Sequence, residues 1–185
     1  MPALHPQLEL FTLEQYNALP EDTRIEVFDG IVYDMAGPSR IHQELLLELA
    51  SLLHAYVKKK NGTCKVIPAP FDVILSKKPL TIVQPDIFIV CDKNKLDENR
   101  CNGVPDFIIE IVSPGNPADD YIRKLYYYEH YGVREYWIVD PRRKTVTVNY
   151  FEGQLFSIPY TFDSTIKVNI YEDLYLDFSD ISKNL

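Results

Sequence analysis

The fold is decided by two apolar stretches, Ile82–Val90 (IVQPDIFIV) and Phe107–Val112 (FIIEIV). Near-continuous apolar runs of this length are typical of strands covered on both faces. Each run carries one acid, Asp86 or Glu110, and a lone buried carboxylate is costly unless it is paired, neutralised or bound to a metal. Pro85 removes a ladder donor beside Asp86 and predicts a sheet edge or a bulge there. The two acids are therefore either structural residues that are paired or hydrogen-bonded within the fold, or ligands of a cation.

Helices and further strands surround these two runs. Asp29-Gly30 indicates the turn of a hairpin over Arg24–Met35, and a capping box at Thr12 opens a short helix. Helices are predicted over residues 12–19, 40–60 and Asp119–Tyr131; strands over Cys64–Ile67, Phe71–Leu75, Thr81–Val90, Asp106–Ser113, Glu135–Asp140, Thr145–Phe151 and Gln154–Ile158; a polar loop over residues 92–105; and a turn over Pro114–Pro117. This order predicts an α/β (α+β) fold with a mixed β-sheet flanked by helices. We expect one domain over residues 1–185, with a core at about 12–150 and a C-terminal strand extension at 151–185.

Composition limits the classes of protein that this chain can represent. Its 185 residues are 46% hydrophobic, which is enough for a sizeable core, and its net charge is −8. That acidic balance argues against a protein held to nucleic acid mainly by a strongly basic surface. The chain has no apolar run of transmembrane length and no secretory signal pattern, so no membrane association is expected. Its three cysteines contain no CxxC pair, and we expect reduced thiols in a cytoplasmic protein.

Three further charged residues have ordinary structural interpretations. Glu26 alternates with Ile25 and Val27 in a hairpin strand, which favours a side chain that faces solvent. Asp120 and Lys124 are four residues apart on the second predicted helix, a spacing that favours a simple ion pair. Tyr128 continues that stripe, whereas the opposite side of the helix is apolar, with Ile122, Leu125 and Tyr126. The tyrosines of this helix indicate packing or a subunit contact.

Taken in order, these motifs resemble the Uma-two family of restriction endonucleases, part of the PD-(D/E)XK nuclease superfamily. The resemblance covers about residues 12–150. It is carried by Glu26, Asp29-Gly30, His42, Pro85-Asp86, Pro105-Asp106, the run from Glu110 to Pro114, Asp120, Lys124, Tyr128 and Gly132–Pro141 (GVREYWIVDP). It implies a restriction-endonuclease-like core and a metal-dependent cleavage of phosphodiesters.

The resemblance also implies the site residues. Asp86 takes the place of the motif aspartate, Glu110 that of the motif acid, and Glu26 that of an additional acid. Together they would hold Mg²⁺ (or Mn²⁺). The superfamily pattern places a lysine at position 112, where this chain has Val112, and Lys124 of the following helix would supply the ammonium instead. His42 and Asp120 are possible supporting residues.

The function expected from this resemblance is an endonuclease that cleaves DNA, acting as a homodimer. The tyrosine-rich helix and the C-terminal strands are the expected subunit contact. Basic clusters at Lys58–Lys60, Lys77-Lys78 and Arg142–Lys144 are candidate phosphate contacts. The alternative is a nuclease-fold protein without catalytic activity that serves as a binding module. Glycoside hydrolysis has no support beyond the number of acids.

Overall fold

The computed structural model describes residues 9–20, 23–113 and 119–184. Its helices are α1 (Leu13–Asn17), α2 (Arg40–Lys59), α3 (Leu125–Tyr131) and α4 (Phe178–Ile181), with a π-helical segment at Asp119–Lys124 and 3-10 turns at Lys93–Lys95 and Ser182–Asn184. Its strands are β1 (Ile25–Phe28), β2 (Ile31–Asp34), β3 (Lys65–Pro68), β4 (Asp72–Lys77), β5 (Leu80–Val83), β6 (Ile87–Val90), β7 (Arg100–Asn102), β8 (Phe107–Ile111), β9 (Glu135–Asp140), β10 (Thr145–Tyr150), β11 (Phe156–Thr161), β12 (Thr165–Lys167) and β13 (Tyr175–Asp177). The turn predicted at Pro114–Pro117 lies outside the described residues.

The strands form two main sheets, both mixed, so the predicted α+β class is confirmed. The first sheet has the order β2-β1-β5-β4-β7, and the second has the order β11-β10-β9-β8-β6-β3. A third, two-stranded sheet joins β12 to β13. Parallel pairing of β4 with β7, and of β8 with β9, makes each main sheet mixed. The sequence predicted a single mixed sheet. The predicted number of sheets is wrong, because the strands divide between two main sheets.

Local signals account for the hairpin and for the start of two helices. Asp29 and Gly30 both have positive φ, 49° and 77°, as a two-residue hairpin turn between β1 and β2 requires. The predicted capping box at Thr12 is present at the start of α1. Ser39 caps α2, since its side chain accepts a hydrogen bond from the backbone N–H of His42. That cap fixes the first turn of the long helix beside the site described below.

The predicted strand Thr81–Val90 is two strands in different sheets. β5 pairs with β1 and β4 in the first sheet, whereas β6 pairs with β3 and β8 in the second. The change of sheet occurs at residues 84–86, because Pro85 has no N–H with which to continue a ladder. As a result, Asp86 lies where the two sheets meet.

Both faces of the central strands of the second sheet are buried, as the apolar runs predicted. On one face, Ile87, Ile109 and Trp137 pack with α2 through a set of buried leucines, Leu45, Leu49 and Leu53. On the other face, Phe88, Ile108, Tyr136 and Ile138 pack with Tyr128 and Val133. Helices α2 and α3 thus lie on opposite faces of this sheet.

The C-terminal segment is part of the main core. Phe162, Ile166, Leu176 and Phe178 are buried in the same cluster as Trp137. The buried carboxylate of Glu135, at the start of β9, binds this segment through hydrogen bonds. Its oxygens accept hydrogen bonds from Trp137 Nε1 (2.7 Å), Asn169 Nδ2 (2.8 Å) and the backbone N–H of Ile170 (3.0 Å).

Glu135→Ala is expected to destabilise the fold by about 3 kcal/mol, because it leaves buried donors without an acceptor. Glu135→Gln keeps one acceptor oxygen and should therefore lose clearly less stability than Glu135→Ala. Urea unfolding followed by circular dichroism measures both values. Equal stability of the wild type and Glu135→Ala would show that this carboxylate does not fasten the segment.

The expectation of three reduced thiols is wrong in this structure. Cys64 and Cys91 form a disulfide, and Cys101 is a free, buried cysteine. The pairing follows from the register of β3 and β6: Lys65 lies opposite Val90, so the residues just outside that pair face each other. Among the described helices, none is long and apolar enough to cross a bilayer.

Candidate active site

A cavity of about 530 Å³ lies where the two main sheets meet. All six residues that the resemblance singled out line it: Glu26, His42, Asp86, Glu110, Asp120 and Lys124. They come from β1, α2, the segment before β6, β8 and the π-helical segment. The cavity therefore collects side chains that are as far as 98 positions apart in the chain, from Glu26 to Lys124.

Strand register brings Asp86 and Glu110 together. Antiparallel pairing of β6 with β8 places Ile87 opposite Ile109, and one step beyond it Asp86 lies beside Glu110. Asp86 Oδ2 accepts a hydrogen bond of 2.7 Å from the backbone N–H of Ile111. This bond fixes the carboxylate of Asp86 against the end of β8.

Glu26 is buried, which contradicts the solvent-facing position expected from its alternation with Ile25 and Val27. Only 7% of its surface is exposed. Both faces of β1 are covered, and on its second face Phe28 packs on Tyr127 of α3 with ring centroids 4.9 Å apart. Glu26 lies on that face, where its Oε1 accepts a hydrogen bond from the backbone N–H of Gln84 (3.1 Å).

Lys124 provides the ammonium group of the site. Its Nζ lies 2.9 Å from Glu110 Oε1, 3.1 Å from Glu26 Oε1 and 3.8 Å from Asp120 Oδ1. The predicted ion pair of Asp120 with Lys124 is therefore present, but it belongs to a buried cluster instead of a solvated helix surface. Lys124 is 7% exposed.

The helical segment presents its polar stripe to the interior. Asp120, Lys124 and Tyr128 are buried, whereas Ile122 and Tyr126 are 70% and 59% exposed. The segment begins as a π-helix at Asp119–Lys124 and continues as α3. π-helical turns are rare and are frequent at functional sites. The burial of charge on this side thus marks the segment as part of the site.

Burial and charge act in opposite directions on the central pair. Burial raises the pKa of Glu110 well above its usual value; the Lys124 ammonium lowers it, and the nearby carboxylates of Asp86, Asp120 and Glu26 raise it further. Burial alone would lower the pKa of Lys124, but the surrounding carboxylates raise it well above its usual value. Lys124 is therefore charged at neutral pH.

His42 supports Asp86. Its Nε2 lies 3.1 Å from Asp86 Oδ2, and the side chain is buried. Burial lowers the pKa of His42, but its hydrogen bond to Asp86 and the negative charge of that residue outweigh this effect and raise the pKa. Nδ1 of His42 is buried and has no hydrogen-bond partner within the described residues. The imidazole thus contacts the acid at one nitrogen.

Two residues of the site were not assigned from the sequence. Tyr128 Oη donates a hydrogen bond of 2.7 Å to Glu110 Oε1, although the sequence indicated only packing or a subunit contact. Gln84 lines the cavity and binds Glu26 through its backbone N–H. The signal that could have found Tyr128 is its place on the same helical stripe as Asp120 and Lys124.

Within the described part of the chain, no group of three or more His, Cys, Asp or Glu side chains is arranged to hold a metal ion. The ammonium of Lys124 lies between Glu26 and Glu110. Four buried or partly buried carboxylates nevertheless line this cavity together with the Lys124 ammonium: Glu26, Asp86, Glu110 and Asp120. The exposed Asp34 and Arg24 also line it. All of their donor atoms are oxygens, the ligands that Mg²⁺ prefers.

Known proteins resemble this chain in both sequence and fold. The "Uncharacterized protein slr1290" of Synechocystis sp. (strain ATCC 27184 / PCC 6803 / Kazusa) is 26% identical over 106 residues, which are 57% of this chain and 54% of that protein. The chain thus spans about half the length of that relative. The crystal structure of a "putative nuclease belonging to DUF820" from Anabaena variabilis ATCC 29413 matches with a TM-score of 0.75 at 20% identity. The match covers 94% of this chain and 98% of that one, so the two share a fold.

The family follows from a match over most of the chain. The sequence model of the Uma2 (Uma-two) family, described as "Putative restriction endonuclease", matches residues 13–177. The match includes every candidate site residue and extends beyond the 12–150 range of the sequence motifs, which confirms the resemblance drawn from them. This chain belongs to the Uma2 family.

Proposed function

We propose that the protein is a metal-dependent endonuclease that hydrolyses phosphodiester bonds of DNA in the cavity between its two sheets. The observation that carries the proposal is the convergence of Asp86, Glu110, Glu26 and Lys124 on that one cavity. Structural ion pairs need one carboxylate for each ammonium. This cavity instead has an excess of buried carboxylates, which is typical of sites that hold a divalent cation.

The residues present fit such a cation. Asp86 and Glu110, with Glu26 as the additional acid, would hold Mg²⁺ or Mn²⁺ through oxygen ligands. When bound, the metal lowers the pKa of a water molecule and neutralises charge on the scissile phosphate. Asp86 Oδ2 is already occupied by Ile111 and His42, so these contacts orient its carboxylate.

Lys124 acts as a cation in this proposal and not as a base. Its pKa is well above the usual value because carboxylates surround it, so its Nζ keeps the proton at neutral pH. A protonated ammonium can donate hydrogen bonds to the attacking water or to an oxygen of the phosphate. Tyr128 Oη shares Glu110 Oε1 with Lys124 and holds that carboxylate in place.

Exposed arginines flank the proposed cleft. β8 and β9 are parallel neighbours, and the backbone N–H of Val112 donates to Val139 (2.8 Å), so the ends of both strands meet at one edge. Arg142 and Arg143 follow β9 at that edge and are exposed. Lys58–Lys60, by contrast, lie at the far end of α2, about 25 Å along the helix from His42. We propose that the arginines, and not those lysines, contact DNA phosphates.

Plasmid cleavage tests the proposal directly. We expect the purified protein to nick or linearise plasmid DNA in Mg²⁺ or Mn²⁺ and to be inactive in a chelator.

A second candidate, a binding module without activity, is favoured by Val112 at the usual lysine position and by the ammonium between Glu26 and Glu110. Retarded migration of DNA without cleavage in any divalent metal would select that candidate. A cytoplasmic location stays a prediction.

The homodimer is a further proposal, with the exposed apolar side of the helical segment as its contact. Ile122 and Tyr126 are large side chains exposed at 70% and 59%, and such residues in a patch are typical of interaction sites. Static light scattering is expected to give a dimer for the wild type and a monomer for the double substitution Ile122→Glu and Tyr126→Glu. A monomeric wild type at micromolar concentration would contradict the proposal.

A further inference from the structure

A second cavity, of about 480 Å³, adjoins the first. Gln84 and Pro70 line both, so the two share a wall. Gln84 connects them chemically as well: its backbone N–H binds Glu26 in the first cavity, and its side-chain Nε2 donates to Asp72 Oδ1 (2.8 Å) in the second. A polymeric substrate held in the first cavity would therefore have a neighbouring part of itself at the second.

The second cavity offers one cation and one carboxylate side by side. Asp72 and Arg100 are partners in the parallel pairing of β4 with β7. Arg100 Nη1 donates to Asn17 Oδ1 (2.9 Å), and Arg100 makes no ion pair within the described residues. Asp72 Oδ1 accepts hydrogen bonds from Tyr16 Oη (3.0 Å) and from Gln84. Its Oδ2 accepts none within the described part of the chain.

Aromatic and amide side chains complete this lining. Tyr16 and Phe71 line the cavity and are half-buried, and Asn99 adds an exposed amide. A site for a bare phosphate needs only donors, and the carboxylate of Asp72 would oppose one. The edge of a nucleobase, by contrast, presents both donors and acceptors, and its faces stack on aromatic rings.

We infer that the second cavity is a subsite for a single unpaired nucleotide next to the scissile phosphate, with Arg100 and Asp72 contacting its base. A concave site of this volume suits a small molecule and cannot admit a base pair that remains stacked in a duplex. The substrate class that follows is DNA with an unpaired or displaced nucleotide beside the cleavage position. The inference rests on the proposed function.

The test compares cleavage of two labelled duplexes in Mg²⁺, one fully paired and one with a single unpaired nucleotide. The wild type is expected to prefer the second by about tenfold or more in kcat/KM, since a well-made base contact discriminates by that order. Arg100→Gln and Asp72→Asn are expected to bring this preference close to one. Lys167→Gln is the control. It removes one exposed positive charge near Glu135, at the start of β9, and should keep both the activity and the preference.

Three results would overturn the inference. If the wild type cleaves both duplexes equally, or if the preference survives Arg100→Gln and Asp72→Asn, the second cavity is not a nucleotide subsite, although the proposed nuclease function stands. If the wild type cleaves neither duplex in Mg²⁺ or Mn²⁺, the proposed function itself fails, and the inference fails with it. Circular dichroism melting of each variant verifies that it is folded.

Discussion

Lys124→Ala is expected to destabilise the protein by about 3–5 kcal/mol at neutral pH, the largest effect on stability that the site predicts. The substitution leaves Glu26, Glu110 and Asp120 buried around a position from which the ammonium has been removed. Uncompensated buried charge is among the few causes of a stability loss of this size. Urea unfolding at pH 7 to 8 measures the loss.

The stability of Lys124→Ala should fall as the pH rises from 5 to 8. Burial already raises the pKa of Glu110 above its usual value of 4.5, and Lys124 is the group that lowers it. A carboxyl group whose pKa is higher in the folded state stabilises the fold at low pH, and this contribution is lost as the pH rises above the unfolded value. The stability of Lys124→Ala should therefore be closer to that of the wild type at pH 5 than at pH 8.

The pH dependence of the wild type in this range should be weaker. The raised pKa of Lys124 means that its stabilising contribution is complete below its usual value of 10.5 and is lost only at more alkaline pH. Lys167→Ala, at an exposed position, serves as the control and should change stability by less than about 0.5 kcal/mol. A Lys124→Ala variant as stable as this control at pH 8 would show that the buried cluster does not depend on the ammonium.

Asp86→Asn and Glu110→Gln are each expected to lower the rate of plasmid cleavage at least about a hundredfold. Each substitution keeps the shape of the side chain but replaces an oxygen ligand by an amide nitrogen and removes a negative charge. Glu129→Gln, an exposed carboxylate on α3, is the matched control and should cleave at the wild-type rate. Gel assays over a series of enzyme concentrations measure the three rates.

A loss of stability must be separated from a loss of chemistry in these variants. Removing one carboxylate reduces the excess of negative charge around Lys124, so neither variant is expected to unfold at the assay temperature. Melting curves recorded in a chelator verify this point. Cleavage by Asp86→Asn or Glu110→Gln at the wild-type rate would exclude that residue from the active site.

The sequence predicted those parts of the fold that local pattern determines. The apolar runs around Asp86 and Glu110 predicted strands that are buried on both faces, and β6 and β8 are such strands. Asp29-Gly30 predicted the hairpin turn, because few residues other than these adopt two consecutive positive φ angles. Apolar spacing predicted the long helix, which is α2.

Features that depend on distant partners were not predictable in the same way. Pro85, within the run Ile82–Val90, predicted a sheet edge or a bulge. Nothing in the local sequence shows that the two halves of the run enter different sheets. The disulfide of Cys64 with Cys91 follows from the register of β3 and β6, which a single sequence does not reveal. The strand β7, which carries Arg100, lies in a segment predicted to be a polar loop because only its pairing with β4 makes it a strand.

The residues of the candidate site show the limits of periodicity most clearly. Alternation indicated that Glu26 faces solvent, and spacing indicated that Asp120 and Lys124 form a simple ion pair. The structure instead buries these charged groups together, where they compensate one another. The order of motifs shared with a family located these residues, whereas their hydrophobic pattern did not.

Asp86, Glu110 and Glu26 are proposed to form one cation site, with Lys124 beside it. Calorimetric titration with Mn²⁺ tests this site without DNA and without turnover. We expect saturable binding of Mn²⁺ to the wild type, with a rise in Tm, and loss of both in Asp86→Asn and in Glu110→Gln. Absence of Mn²⁺ and Mg²⁺ binding by the folded wild type, or undiminished binding by both variants, would contradict it.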